Sequence, residues 1–291
     1  MIVHQESKSL LLKLRQPELV SKVMPKWSKR IDYEGHNIAV KFDVDVVRVL
    51  RNMGIKAPSP IRYEYRWPRP ARFKKVLDHQ MATAEFATLY QRLFILNDMG
   101  TAKTASALWA ADYLMDKGYV GKCIIVSPLS TLELVWADEI FSCLMHRSCV
   151  VLHGTREKRF ELLASDANFY IINHDGLKII ADELVKRKDI NLIIVDEAAA
   201  YRNGKTARYK VLADLLRPWH RLWMMTGTPC PNAPTDAWAL SRLVDPSRVP
   251  QYFSQFRRET MVQMSQYKWL PAIGSHEKAF HAMQPAIRFK K

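Results

Sequence analysis

A chain of 291 residues, 48% of them hydrophobic, can bury a substantial core and has room for one large domain or two smaller ones. No apolar run approaches the roughly eighteen residues of a membrane span, and the N-terminal "LLLKL" is too short and too lysine-interrupted for a signal sequence, which points to a cytosolic protein, or a nuclear one in a eukaryote, with no membrane partner. The net charge of +15 sits in the flanks: Lys and Arg outnumber Asp and Glu 17 to 7 over residues 1–75, balance at 20 each over 76–252, and lead 7 to 2 from 253 onward. That distribution fits a polyanion contacted outside a neutral core, or a solvated basic surface.

In chain order, residues 1–56 read as a small α+β unit. "RIDYEGHNIAVKFD" holds two strand-like runs around Glu34, Gly35, His36 and Asn37, a hairpin signal. Asp43 is placed to cap the helix "VDVVRVLRNM" and Gly54 to end it. Residues 57–75 form a proline-rich basic strand or linker. From Ile61 to Trp67 it alternates strictly, with Ile61, Tyr63, Tyr65 and Trp67 on one side and Arg62, Glu64 and Arg66 on the other. Arg62 and Arg66 could meet phosphates while the rings stack on bases, but a half-buried edge strand predicts the same alternation, and we read a strand.

From residue 76 the pattern changes to alternating strands and helices. The apolar runs "RLFIL", "KCIIVSP", "SCVVLH", "NFYIIN", "NLIIVDE" and "RLWMMTG" are separated by helical stretches at 103–117, 130–141, 155–164, 175–187 and 206–216. Short, uniformly apolar strands spaced by helices predict a mainly parallel sheet covered on both faces, with functional groups at the carboxyl ends of its strands. Residues 251–291 read as a helical extension. Cys123, Cys143, Cys149 and Cys230 lack metal-site spacing and read as reduced structural thiols.

Three strand ends carry chemistry. "NDMGTAKTA", residues 97–105, follows the first of these strands and opens a helix, the position of a phosphate loop. Its backbone N–H groups would cradle phosphates, Lys103 would reach the β- and γ-phosphates, and Thr104 would offer its hydroxyl to magnesium. The generic glycine pattern is met only at Lys103 and Thr104, so an ordinary strand-to-helix turn is equally compatible. Asp196 and Glu197 end the run "NLIIV". A buried strand does not close on adjacent carboxylates without a neutralising partner; magnesium on Asp196, with Glu197 polarising the attacking water, is one answer, and an acidic helix cap is another. "MMTGTPCPN" puts Thr226, Gly227 and Thr228 where hydroxyls could sense a γ-phosphate or bond the acidic pair.

Together these motifs resemble the first motor lobe of the Swi/Snf-type branch of superfamily-two DNA translocases and helicases, over about residues 76–291. "LDHQ" resembles the adenine-reading segment, with Gln80 as its glutamine. "NDMGTAKT" resembles the family's "DEMGLGKT", which accounts for Asn97 and assigns Asn97, Asp98, Met99, Gly100, Thr101, Ala102, Lys103, Thr104 and Ala105 to ATP. "IIVSPLSTLELVWADEI" resembles the motif whose Ser127 and Pro128 lie along DNA, and "IINHDGLK" places Asn173 and His174 on the same path. "VDEAAAYRN" stands for the family's "DEAHxxKN", and "MTGTPCPN" for "LTGTPxxN".

The resemblance implies a RecA-like P-loop NTPase lobe over residues 76–250, ATP and magnesium as cofactors, Glu197 and Lys103 as catalytic groups, and double-stranded or forked DNA as partner. The sequence departs from the family at Ala102, where a glycine precedes the lysine, and at Ala199, where a histidine couples hydrolysis to DNA. "MQPAIRFKK" resembles the junction to a second motor lobe that this chain lacks, so slow or absent hydrolysis is expected of it alone. The alternative is a degenerate lobe serving as a DNA- or protein-binding module or inhibitor. A small-molecule P-loop kinase leaves "TGTP" and "SPLS" unexplained.

Overall fold

The computed structural model describes residues 1–69, 74–266 and 268–290. It divides into two compact units, one of Met1–Arg66 with Ala84–Tyr90, the other of Trp67–Thr83 with the chain from Gln91 onward.

In the smaller unit, β1 (Ile2–His4), β2 (Ser9–Leu12), β3 (Ser28–Tyr33) and β4 (His36–Lys41) form an antiparallel sheet in the order β1-β2-β4-β3. The β3–β4 hairpin turns through Glu34 and Gly35, both at positive φ, as the sequence leads one to expect. Helix α1 (Pro17–Val23) lies between β2 and β3 in the chain; α2 (Val44–Asn52) follows β4 and buries Val44, Val46, Val47 and Leu50. The Asp43 carboxylate accepts from Val46 N at 2.9 Å, and Gly54 follows the helix at φ 82°.

The expected strand over Ile61 to Trp67 is not formed. Residues Ile61–Glu64 make one helical turn, α3, and the chain beyond is irregular. Pro60 sits at φ −56°, ψ −30° and starts the turn, which closes through Tyr63 N to Pro60 O at 3.0 Å and Tyr65 N to Ile61 O at 3.1 Å. Ile61 alone of the apolar set is fully buried. Glu85 fixes the segment by accepting from Ser59 N and from Arg62 Nη1, both at 2.9 Å. Residues 70–73 of the proline-rich stretch lie outside the described residues.

Helix α4 (Asp78–Leu89) leads into the larger unit's sheet. Its strands are β5 (Arg92–Ile95), β6 (Lys122–Ser127), β7 (Cys149–Val151), β8 (Phe169–Asn173), β9 (Ile190–Val195), β10 (Arg221–Met225) and a late β13 (Ala286–Ile287). Every pairing is parallel, in the order β13-β5-β10-β9-β6-β8-β7. The connecting helices are α5 (Lys103–Asp116), α6 (Asp138–Cys143), α7 (Arg156–Ala164), α8 (Leu177–Leu184), α9 (Ala207–Leu215) and α10 (Ala237–Val244). The expected helix over 130–141 instead passes from a 3₁₀ turn (Leu129–Thr131) through a π segment (Leu132–Ala137) into α6.

Alternate strand residues point to opposite faces. Ile124, Val126, Ile193, Val195, Leu222 and Met224 join one core with residues of α8, α9 and α10. Cys123, Ile125, Leu192, Ile194, Trp223 and Met225, on the other face, are equally buried. Helix α5 is buried from Ala105 to Met115, as befits a helix apolar all round. Its one carboxylate there, Asp112, is met by Arg147 Nε at 2.6 Å and His146 Nε2 at 2.9 Å. The stretch 251–291 is not purely helical: α11 (Phe253–Thr260) and α12 (Ser275–Ala282) flank a ribbon of β11 (Met261–Gln263) and β12 (Trp269–Pro271), and the chain returns to the sheet edge as β13. All four cysteines are unbridged.

A candidate nucleotide site at the carboxyl edge of the sheet

Strands β5, β10 and β9 are neighbours, so the segments that follow them emerge side by side. Residues 97–105, Thr226 to Thr228, and Asp196 with Glu197 therefore share one edge.

The loop after β5 is tied down by side-chain hydrogen bonds within it and to Thr83 and Phe289. Lys103 Nζ donates to Asn97 O at 2.9 Å, and Thr101 Oγ1 to Asp98 O at 2.8 Å. The buried Asn97 amide donates to Thr83 Oγ1 at 2.8 Å and accepts from Phe289 N at 2.9 Å, while Asp98 N donates to Phe289 O at 3.0 Å. Gly100 has φ 78°, which costs a glycine nothing. Ala102 has φ 55°, ψ 46°, so its methyl group sits in the left-handed region where an L-residue pays about 1–2 kcal/mol. Lys103 and Thr104 open α5 with their side chains half-exposed, and Met99 is exposed. Gln80 is buried near the start of α4, its Oε1 accepting from Leu77 N at 2.9 Å.

The acidic pair is equally constrained. Asp196 accepts from Trp136 Nε1 at 3.1 Å and from Glu197 N at 3.0 Å. Burial pushes its carboxyl above the usual range, opposed by those two donors and by the charge of Lys103. Glu197 is itself left-handed, at φ 49°, ψ 53°; non-glycine residues are held there only when their surroundings force it. Its Oε2 lies 3.5 Å from Thr226 Oγ1, which also accepts from Thr228 N at 3.2 Å. A side chain on Gly227 would point at Met99 N and Asn97 O, 3.5 and 3.6 Å away, so the third loop packs directly on the first.

Half-buried Asp196 and the Thr104 hydroxyl suit magnesium, which keeps most of its waters and takes one or two protein oxygens. Among the described residues no cluster of three or more His, Cys, Asp or Glu forms a closed metal cage.

Ser127, at the end of β6, and Asn173, at the end of β8, are register partners further along the same edge. Ser127 is fully buried and its hydroxyl has no hydrogen-bond partner among the described residues. Asn173 Oδ1 accepts from buried Arg159 at 3.3 Å. His174 Nδ1 lies 3.2 Å from the Tyr201 hydroxyl, and burial lowers its pKa to about 4. Arg62 and Arg66 belong to the smaller unit, Arg62 in its ion pair with Glu85. Trp136, Thr83, Tyr201 and Phe289 were not singled out from the sequence. Trp136 lies in an apolar run where a core role is the default reading, and Phe289 reaches Asn97 across 192 positions of chain.

Residues 79–281 match the family model for the SNF2-related domain. The ATP-dependent helicase BRM of Arabidopsis thaliana is 28% identical over 158 residues, 52% of this chain and 7% of that protein. The SWI/SNF-related matrix-associated actin-dependent regulator of chromatin subfamily A-like protein 1 of Xenopus tropicalis is 26% identical over 164 residues, 55% of this chain and 16% of that protein. The matched stretch is thus a small part of these relatives. In fold, the chain resembles the SWI2/SNF2 ATPase core of Sulfolobus solfataricus in complex with dsDNA, with a TM-score of 0.62 at 19% identity over 78% of this chain and 47% of that one. It spans about half the length of that solved core.

Proposed function

The chain belongs to the SNF2-related family, and from that premise we propose that it is the ATP-binding first lobe of an ATP-dependent DNA translocase or helicase. The observation that carries this reading is the convergence of the Lys103 loop, the Asp196 and Glu197 pair, and Thr226 to Thr228 on adjacent strand ends.

In this reading residues 76–250 form the lobe, 251–291 lead toward a second lobe, 57–75 are a linker and 1–56 an accessory recognition domain. Gln80 reads the adenine. The backbone N–H groups of residues 98–104 and the start of α5 cradle the phosphates, and Lys103 leaves Asn97 O to bind the β- and γ-phosphates. Thr104 and Asp196 are the residues that hold magnesium, whose chemistry is to neutralise charge on those phosphates. Glu197, oriented by Thr226, positions the attacking water. Pro128, Asn173 and His174, with Ser127 behind them, line the DNA path, and Arg62 and Arg66 add contacts from the smaller unit. The family resemblance puts arginine fingers on the second lobe, and such groups contribute about 10³–10⁵ in rate to analogous phosphoryl transfers, so this lobe by itself turns over ATP slowly.

The left-handed Ala102 favours a second reading, a degenerate lobe used for binding or inhibition. DNA-stimulated ATPase assays on this chain and on any longer natural form, each beside Lys103→Ala, separate the two. Lysine-dependent turnover in the longer form supports the motor; its absence sinks the motor and leaves the binding module.

A further inference from the structure

We propose that the face built from α1 and the start of β3 is a binding site for unpaired nucleotides, with Trp27 as a stacking platform and Lys22, Lys26 and Lys29 as phosphate contacts. It rests on the reading of nucleic acid as partner and assigns to the smaller unit a site and a strand state.

Helix α1 has only seven residues, and its inner side is accounted for by buried Pro17 and Val20, with Met24 beyond its end. Its outer side carries Leu19 and Val23, 51% and 55% exposed, and the turn that follows presents Trp27 at 46%. Positions 19, 23 and 27 are spaced by four, so the first two share one helical face, where a merely solvated helix would place polar groups. Strand β3, which α1 precedes, is the edge of its sheet. An ion pair at 3.0 Å from Arg30 to Glu18 ties the helix to the strand and brings Arg30 to the helix's side.

The charge on this surface is one-sided. Residues 13–33 hold Lys13, Arg15, Lys22, Lys26, Lys29 and Arg30, all exposed, against Glu18 and Asp32. Glu18 is taken up by Arg30, and Lys22, Lys26 and Lys29 have no carboxylate partner among the described residues. The complement is a polyanion.

The tryptophan selects among polyanions. Its backbone is pinned at both ends, Trp27 N donating to Met24 O at 3.1 Å and Trp27 O accepting from Lys41 N at 2.8 Å, while its ring has no aromatic partner among the described residues. An exposed indole on a pinned backbone offers a flat face. Bases inside a duplex have their faces covered by their neighbours, whereas unpaired bases stack on aromatic side chains. Tyr33, 51% exposed, stands at the far end of β3, about 20 Å along the strand, and can take a second base of the same strand.

The test uses the whole chain and a labelled oligothymidylate of about 16 nucleotides, read by anisotropy beside a duplex of equal length and phosphatidylserine vesicles. Trp27→Ala is expected to weaken oligothymidylate binding roughly 5- to 150-fold, with Trp27→Phe keeping most of it and the thermal midpoint unchanged in both. Replacing Lys22, Lys26 and Lys29 with Gln should reduce the log–log salt slope by about 2. Oligothymidylate affinity indifferent to Trp27, tighter binding to the duplex, or Trp27-dependent binding to vesicles alone would each overturn the site. If Lys103-dependent ATP binding persists through such a failure, the motor reading stands without it. A chain that binds ATP but no nucleic acid of any form removes the partner reading and this site together.

Discussion

Ala102 poses the sharpest question at the scale of single residues. Its left-handed backbone lets the loop turn into α5 as a glycine would, but with a methyl group in the way. Ala102→Gly should raise stability by about 1 kcal/mol after the added entropy of the unfolded glycine is subtracted, measured as a denaturant midpoint at constant m-value. Nucleotide affinity should rise with it, because the backbone can then approach the phosphates unhindered. His174 supplies a pH dependence. In the unfolded chain it protonates near 6.5, in the folded one only near pH 4, so between these values the unfolded state binds more protons. Stability is therefore expected to fall as pH drops from about 6.5 toward 4. His220, lowered by burial and by nearby Arg92 and Arg217, acts in the same direction, so the contribution of His174 is the difference between wild type and His174→Gln across a pH series of unfolding curves. A constant difference across that range would refute the assignment.

At the scale of elements, local signals succeeded where a single segment decides its own form. The Asp43 cap and the Glu34, Gly35 turn depend on residues within three or four positions of each other, and both are found as read. Asp43→Ala should cost about 1 kcal/mol through the loss of the Val46 bond, seen as a lower midpoint for the smaller unit. The alternation from Ile61 to Trp67 gives way to a helical turn that Pro60 starts, and Glu85, more than twenty positions away, holds the segment through Ser59 and Arg62. Helix α8 begins beside a comparable long-range constraint. A side chain at Gly176 would come within 2.4 Å of Arg159 Nη1 and 2.5 Å of Asn173 Oδ1, so Gly176→Ala must displace a buried guanidinium. A loss of about 1–3 kcal/mol is expected, and a neutral result would show that this strand end is soft.

For the molecule as a whole, charge and chemistry occupy different stretches of chain. Residues 76–252, which carry the 97–105 loop and the acidic pair, are balanced at 20 charges of each sign, and the surplus lies in the flanks. Lys103→Ala is accordingly expected to abolish ATP binding while leaving DNA affinity within about twofold of wild type, since one lysine is a small part of the electrostatic footprint. Equal loss of both by titration would place DNA at the 97–105 loop itself. No helix among the described residues is long and apolar enough to cross a membrane.

The sequence by itself determined the parallel sheet, six of the seven strands it has among the described residues, and the three strand-end loops. Uniformly apolar runs of this kind can be stable only when covered on both faces, and such a sheet collects its polar groups at the carboxyl edge. Tertiary structure alone decided what those groups touch. That Asp196 is held by Trp136, that Asn97 is clamped between Thr83 and Phe289, and that two-residue β13 completes the sheet are meetings between segments far apart in the chain. It also decided that Ala102 is left-handed, because a residue type states which conformations are cheap, while the loop around it dictates which one is adopted.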